Sequence, residues 1–101
     1  MRKFKYDSTI YLQPVPDDIA NEIREVIYLS KNRKITRNMK FDVDLLFDDL
    51  DFIELLLNVE RDNMIKIPDG DNINASMSVG EFVEVVEELM LLKAGIKFKI
   101  K

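Results

Sequence analysis

Three apolar stripes at helical spacing constrain this chain more than any other feature. Ile19, Ile23, Val26 and Ile27 recur at i, i+4, i+7 and i+8, which is one face of an amphipathic helix. Leu50, Ile53, Leu56 and Leu57 form a second stripe, widened by Leu55 and Val59. Val79, Phe82, Val83, Val86, Leu89 and Met90 form a third, with Glu81, Glu84, Glu87 and Glu88 mostly off it. Such stripes must bury against one another, so the chain reads as all-α, a small helical bundle. Its 101 residues are the size of one domain.

Local signals bound the helices. Pro16 followed by Asp17 and Asp18 suits a helix start, with Pro at the first helical position and acids in the first turn. This helix fades in the basic stretch 30–34. Residues 35–47 lack clean periodicity and read as a long loop. The second helix starts at Asp48 or Asp49 and runs to about Asn63. Pro68, Asp69, Gly70 and Asp71 signal a turn, and 72–76 have room for one short turn of helix. Ser78 and Glu81 match a capping box that opens the third helix. Gly95 ends its pattern. Residues 1–13 alternate loosely, and Ile96, Lys97, Phe98, Lys99, Ile100 and Lys101 alternate strictly, as a half-buried strand does. The expected organisation is an N-terminal arm over 1–15, a helical bundle over 16–92 and a basic C-terminal arm over 93–101. Both arms are expected to be extended and to pair as a small β-ribbon resting on the bundle.

The absences exclude much chemistry. Without Cys or His there are no disulfides, no thiolate nucleophile, no imidazole base and none of the usual zinc sites. Gly70, Gly80 and Gly95 stand too far apart for a phosphate-cradling loop. The longest uncharged stretches, 8–16 and 72–80, run nine residues, against about 20 for a membrane span. The basic start lacks an apolar run, so no signal peptide is expected and the expected compartment is the cytoplasm. Asp48, Asp49, Asp51 and Glu54 are an oxygen-only set that suits calcium or magnesium at best. The stretch from Asp69 fails as a calcium loop because its twelfth residue is Gly80 and not Glu. Neither a metal nor catalysis is expected.

Charge is placed unevenly. Arg2, Lys3 and Lys5 sit at one end, and Lys93, Lys97, Lys99 and Lys101 at the other. Between them, 7–92 hold 8 basic and 19 acidic residues, a net −11. Within that, 42–62 hold eight acids against Arg61 alone, a net −7. Such a field repels nucleic acid and attracts basic protein surfaces.

From residue 19 to 89 the chain resembles an acyl carrier protein, over about 70 of its 101 residues. Three landmarks carry the resemblance. Asp48, Asp49, Leu50 and Asp51 stand where the family's Asp-Ser-Leu motif opens its second helix. Ile65, Lys66, Ile67, Pro68 and Asp69 match the family's I-x-I-P-D. Met77, Ser78, Val79 and Gly80 resemble the Thr-Val-Gly start of its last helix. The resemblance implies an acyl-carrier-like four-helix bundle, three helices long and one short, with the arms outside it. It also implies a 4′-phosphopantetheine group on the motif's serine. That position is Asp49 here, and a carboxylate cannot accept the group in the same linkage. The serines are Ser8, Ser30, Ser76 and Ser78, none beside Leu50. Asp49 is expected to serve as the helix N-cap, since Asp and Ser cap about equally well. A sharper possibility is that its charge mimics the phosphodiester.

The resemblance further implies docking through the exposed face of the second helix. By position that face comprises Asp48, Asp49, Leu50, Asp51, Glu54, Leu57, Glu60 and Arg61. Arg61 and Lys66 stand where the family usually has acids. The expected function is that of a non-enzymatic, monomeric module without a cofactor. It would dock a partner with a basic patch, such as an enzyme of acyl-chain, polyketide or peptide assembly. Two alternatives stay open: a true carrier modified at an unrecognised site, and a bundle whose basic arms bind a polyanion.

Overall fold

Pro16 opens the first helix from just outside it. The structure, a computed structural model, describes residues 14–68, 70 and 72–100, the last five through their backbone. Pro16 takes the extended N-cap conformation (φ −54°, ψ 139°), one position earlier than expected, and its carbonyl accepts from Ala20 at 2.9 Å. Helix α1 (Asp17–Val26) buries Ile19, Ala20, Ile23 and Val26, the expected stripe. It stops before the basic stretch because Tyr28 turns left-handed (φ 59°), and the Leu29 amide bonds back to the Arg24 carbonyl at 2.8 Å.

Helix α2 (Asp49–Asn63) is capped by Asp48, not by Asp49. The Asp51 amide donates to Asp48 Oδ1 at 2.8 Å, and the Asp48 amide donates to Asp51 Oδ2 at 3.0 Å. This is a complete capping box. Asp49 follows at the first helical position, exposed, its carboxylate making no hydrogen bond among the described residues. The buried face differs from the periodic stripe of Leu50, Ile53, Leu56 and Leu57, although Leu50 and Leu57 are exposed as the docking face implied by the resemblance expects. Phe52, Leu55 and Val59 are buried and Leu56 is half-buried, whereas Leu50, Ile53 and Leu57 face solvent. Two apolar stripes at i, i+3 and i+7 interleave on this helix, and the one that contains the aromatic ring goes inward.

Helix α3 (Val79–Ile100) starts at the expected Ser78 box: Glu81 N–H to Ser78 Oγ is 3.1 Å, and Ser78 N–H to Glu81 Oε1 is 2.9 Å. Val79, Phe82, Val83 and Val86 are buried. Gly95 interrupts the helix (φ −110°, ψ 17°), but helical backbone resumes as far as Ile100. The expected extended C-terminal arm is therefore helical over 96–100. Extending an existing helix is cheap once it is nucleated, and lysine favours that state. Residues 1–13 of the expected N-terminal arm lie outside the described residues, and so does its pairing in a ribbon; of the rest of that arm, Val15 is buried in the core. Residues 72–77 form successive turns in place of a short helix, with Ile73 N–H to Gly70 O and Met77 N–H to Asn74 O each at 3.1 Å.

The long loop after α1 contributes to the core as much as a helix does. Ile35, Phe41, Leu45 and Phe47 are buried. The Phe41 ring meets Phe47, Phe52 and Phe82 edge to face, with centroids 5.1, 5.3 and 5.6 Å away. The loop is also laced to the start of α3: Val79 N–H donates to the Met39 carbonyl and Gly80 N–H to the Arg37 carbonyl, both at 2.8 Å. Arg37 is buried, with Nη2 donating to the Pro14 carbonyl at 3.4 Å.

Candidate functional site

The outer face of α2 carries apolar side chains that the core does not use. Leu50 is 75% exposed, Leu57 58% and Ile53 49%. Leu46, just before the cap, is 79% exposed and left-handed (φ 61°). A groove of about 380 Å³ runs beside this face, lined by Ile53, Leu56, Leu57, Glu60, Lys66 and Pro68 among others. Exposed apolar groups gathered on one face mark an interaction surface.

The eight residues expected at this face divide into two sets. Asp49, Leu50, Glu54 and Leu57 point outward and are free to meet a partner. The other four have structural work. Asp48 and Asp51 hold the cap. Glu60 Oε2 accepts the Ile67 amide at 2.7 Å, which ties the following loop to α2. Arg61 pairs with its neighbour Asp62 at 3.1 Å. Ile53 and Leu46 belong to the surface but were not expected there. The competing stripe Phe52, Leu55 and Val59 was the signal that could have freed Ile53. No group of three or more carboxylates converges to hold a metal ion among the described residues.

Behind this face, the seam between α1 and α2 holds an unusual pair of acids. Burial pushes the Glu22 carboxyl up to about 7, helped by its hydrogen bond to Asp62 and by repulsion from Asp62 and Glu25. The same hydrogen bond, donated by Glu22, holds Asp62 below the ordinary carboxylate range, and Arg61 adds to this.

Comparison with known proteins decides the family. The chain is 34% identical over 74 residues to the acyl carrier protein of Lactobacillus johnsonii, covering 70% of this chain and 91% of that protein. It is 32% identical over 72 residues to that of Brachyspira hyodysenteriae, covering 71% and 91%. The chain belongs to the acyl carrier protein family. The acyl carrier protein of Porphyromonas gingivalis is 34% identical over 55 residues, covering 54% of this chain and 69% of that protein. No family model and no solved structure matches the chain. Acyl carrier proteins are carriers and not enzymes, and this chain is accordingly non-enzymatic. Members of the family normally carry 4′-phosphopantetheine and work with partner enzymes. No helix among the described residues is long and apolar enough to cross a membrane.

Proposed function

We propose that this acyl carrier relative is a docking module that has kept the α2 surface and lost the attachment chemistry. Asp49 carries the reading. It lies at the first turn of α2, where the family's serine is expected, and its exposed carboxylate cannot form the serine phosphodiester. Nor is it there to cap the helix, because Asp48 does that. Its charge instead adds to the acidic rim around Leu50 and Leu57, and it is favoured by the positive end of the helix dipole. Acids at the rim steer a basic partner, and the apolar side chains at the centre anchor it. Ser78 is engaged as the α3 cap, and the Ser76 hydroxyl donates to Asp42 at 2.9 Å. A partner with a basic patch, acting in acyl-chain, polyketide or peptide assembly, fits this surface.

The test is intact mass after incubation with coenzyme A and a broad-specificity phosphopantetheinyl transferase, with Asp49→Ser alongside. The expected result is no change for the native chain and one added phosphopantetheinyl group on Asp49→Ser. A gain on the native chain would overturn the reading and reveal a true carrier with another attachment site.

A further inference from the structure

The free charges of the α2 surface lie at two separate places. The carboxylates of Asp49 and Glu54, in the first half of α2, are exposed and make no hydrogen bond or ion pair among the described residues. Lys66 is likewise exposed, and its ammonium is unpaired among the described residues. It follows α2 in sequence but lies beside it in space. Beyond the left-handed cap at Met64 (φ 53°) the chain folds back, with Ile65 N–H donating to the Glu60 carbonyl at 3.2 Å and Ile67 N–H to Glu60 Oε2 at 2.7 Å. Lys66, Ile67 and Pro68 thereby line the groove of about 380 Å³ together with Ile53, Leu56 and Leu57 of α2. Glu60 is the other charged residue of the groove, and it already serves the Ile67 amide. The uncommitted charge there is thus positive. Asp49 lies eleven residues before Glu60, about 16 Å along the helix axis. Charges are screened over about 8 Å at physiological salt, so the acidic start of α2 and the basic wall of the groove act on a partner separately.

We propose that the partner of this surface seats a large apolar side chain in the groove and pairs a carboxylate with Lys66, while its basic residues meet Asp49 and Glu54 only. This partner chemistry rests on the docking role proposed above. Apolar contact in the groove removes water from its rim, so the sign of the charge opposite Lys66 counts for more there than in open solvent. A uniformly basic patch would set like charges together, and Lys66 rejects it on that ground. A lysine stem also adds apolar wall to a groove while its head stays at the rim.

Two amphipathic peptides of equal length test it. Both carry leucines at helical spacing and lysines in the first half; a single residue in the second half is glutamate in one and lysine in the other. Binding of the labelled peptides to the full chain is followed by fluorescence anisotropy, and its place by backbone amide shifts. The glutamate peptide should bind about fivefold more tightly or better, although the net charge of −4 draws the lysine peptide more strongly at long range. Lys66→Glu should reverse the preference. Leu57→Ser should weaken both peptides alike by removing apolar contact. Neither residue is in the core, so both variants should keep the native circular dichroism spectrum. Equal or tighter binding of the lysine peptide overturns the inference, and so does a preference that Lys66→Glu leaves unchanged. Either result, with amide shifts still on α2, leaves the docking role itself standing. Binding of neither peptide, or shifts away from α2, overturns the inference together with its docking surface.

Discussion

Asp48 and Asp51 satisfy each other's backbone amides, at 2.8 and 3.0 Å, and so define where α2 begins. The neighbouring Asp49 takes no part. Asp48→Ala should therefore lower stability by about 1 kcal/mol. Asp49→Ser should stay within about 0.5 kcal/mol of the parent, as an exposed position does. Urea denaturation of the two variants separates the cap from the residue at the position expected to carry the prosthetic group.

Gly80 lies so close to Arg37 that a side chain there would force its neighbour to shift. A Cβ there would stand 3.0 Å from both the Arg37 Cβ and its carbonyl oxygen. The oxygen cannot withdraw without lengthening and weakening the 2.8 Å bond from the Gly80 amide. Gly80→Ala should lower stability by about 1–2 kcal/mol, with the steric cost outweighing the better helix propensity of Ala. Thermal unfolding checks this.

Leu46 is a bulky residue held left-handed at φ 61° between the buried Leu45 and Phe47, with its own side chain in solvent. Glycine accepts that conformation freely but adds freedom to the unfolded chain. Leu46→Gly should raise stability by a net of about 0.5–1 kcal/mol, read as a higher urea midpoint. If the α2 surface docks a partner, the same variant should bind it less well, since an apolar contact has gone.

Glu22 links stability to pH. Its folded pKa of about 7 lies above the ordinary 4.5. The stability it contributes is thus fully present below about 4.5 and is lost as pH rises through 7. Asp62 is shifted downward, so its contribution is present above the ordinary 3.8 and is lost only in more acidic solution. Melting temperature should fall by a few degrees between mildly acidic and mildly alkaline buffer. Glu22→Gln, which keeps a donor for Asp62 but cannot ionise, should flatten that slope and melt higher than the parent on the alkaline side.

The helices of this fold were legible in the sequence because each carries a stripe and a start signal. The Ser78 and Glu81 box is found as expected. What periodicity cannot decide is which of two stripes faces inward. Leu50, Ile53 and Leu57 have the same spacing as Phe52, Leu55 and Val59, and the choice depends on Phe41 and Phe82, which are distant in sequence. The loop phenylalanines were hidden for the same reason: Phe41 and Phe47 follow no local period, although they are buried. The cap moved from Asp49 to Asp48 because adjacent aspartates are equivalent on paper, and only the pairing with Asp51 distinguishes them. In the tail, the strict alternation of Ile, Lys and Phe indicated a strand, yet helical backbone resumes after the break at Gly95 and runs to Ile100.

The ring of Phe41 touches the loop, α2 and α3 at once, through Phe47, Phe52 and Phe82. Phe52 is the first inward residue of α2, one turn from its cap, so the start of the helix is pinned from both inside and outside. Leu50 and Leu57 thus project from a helix with little freedom left to lose. If the α2 surface docks a partner as proposed, the fixed helix start spares that association part of the ordering entropy that a loose surface would cost.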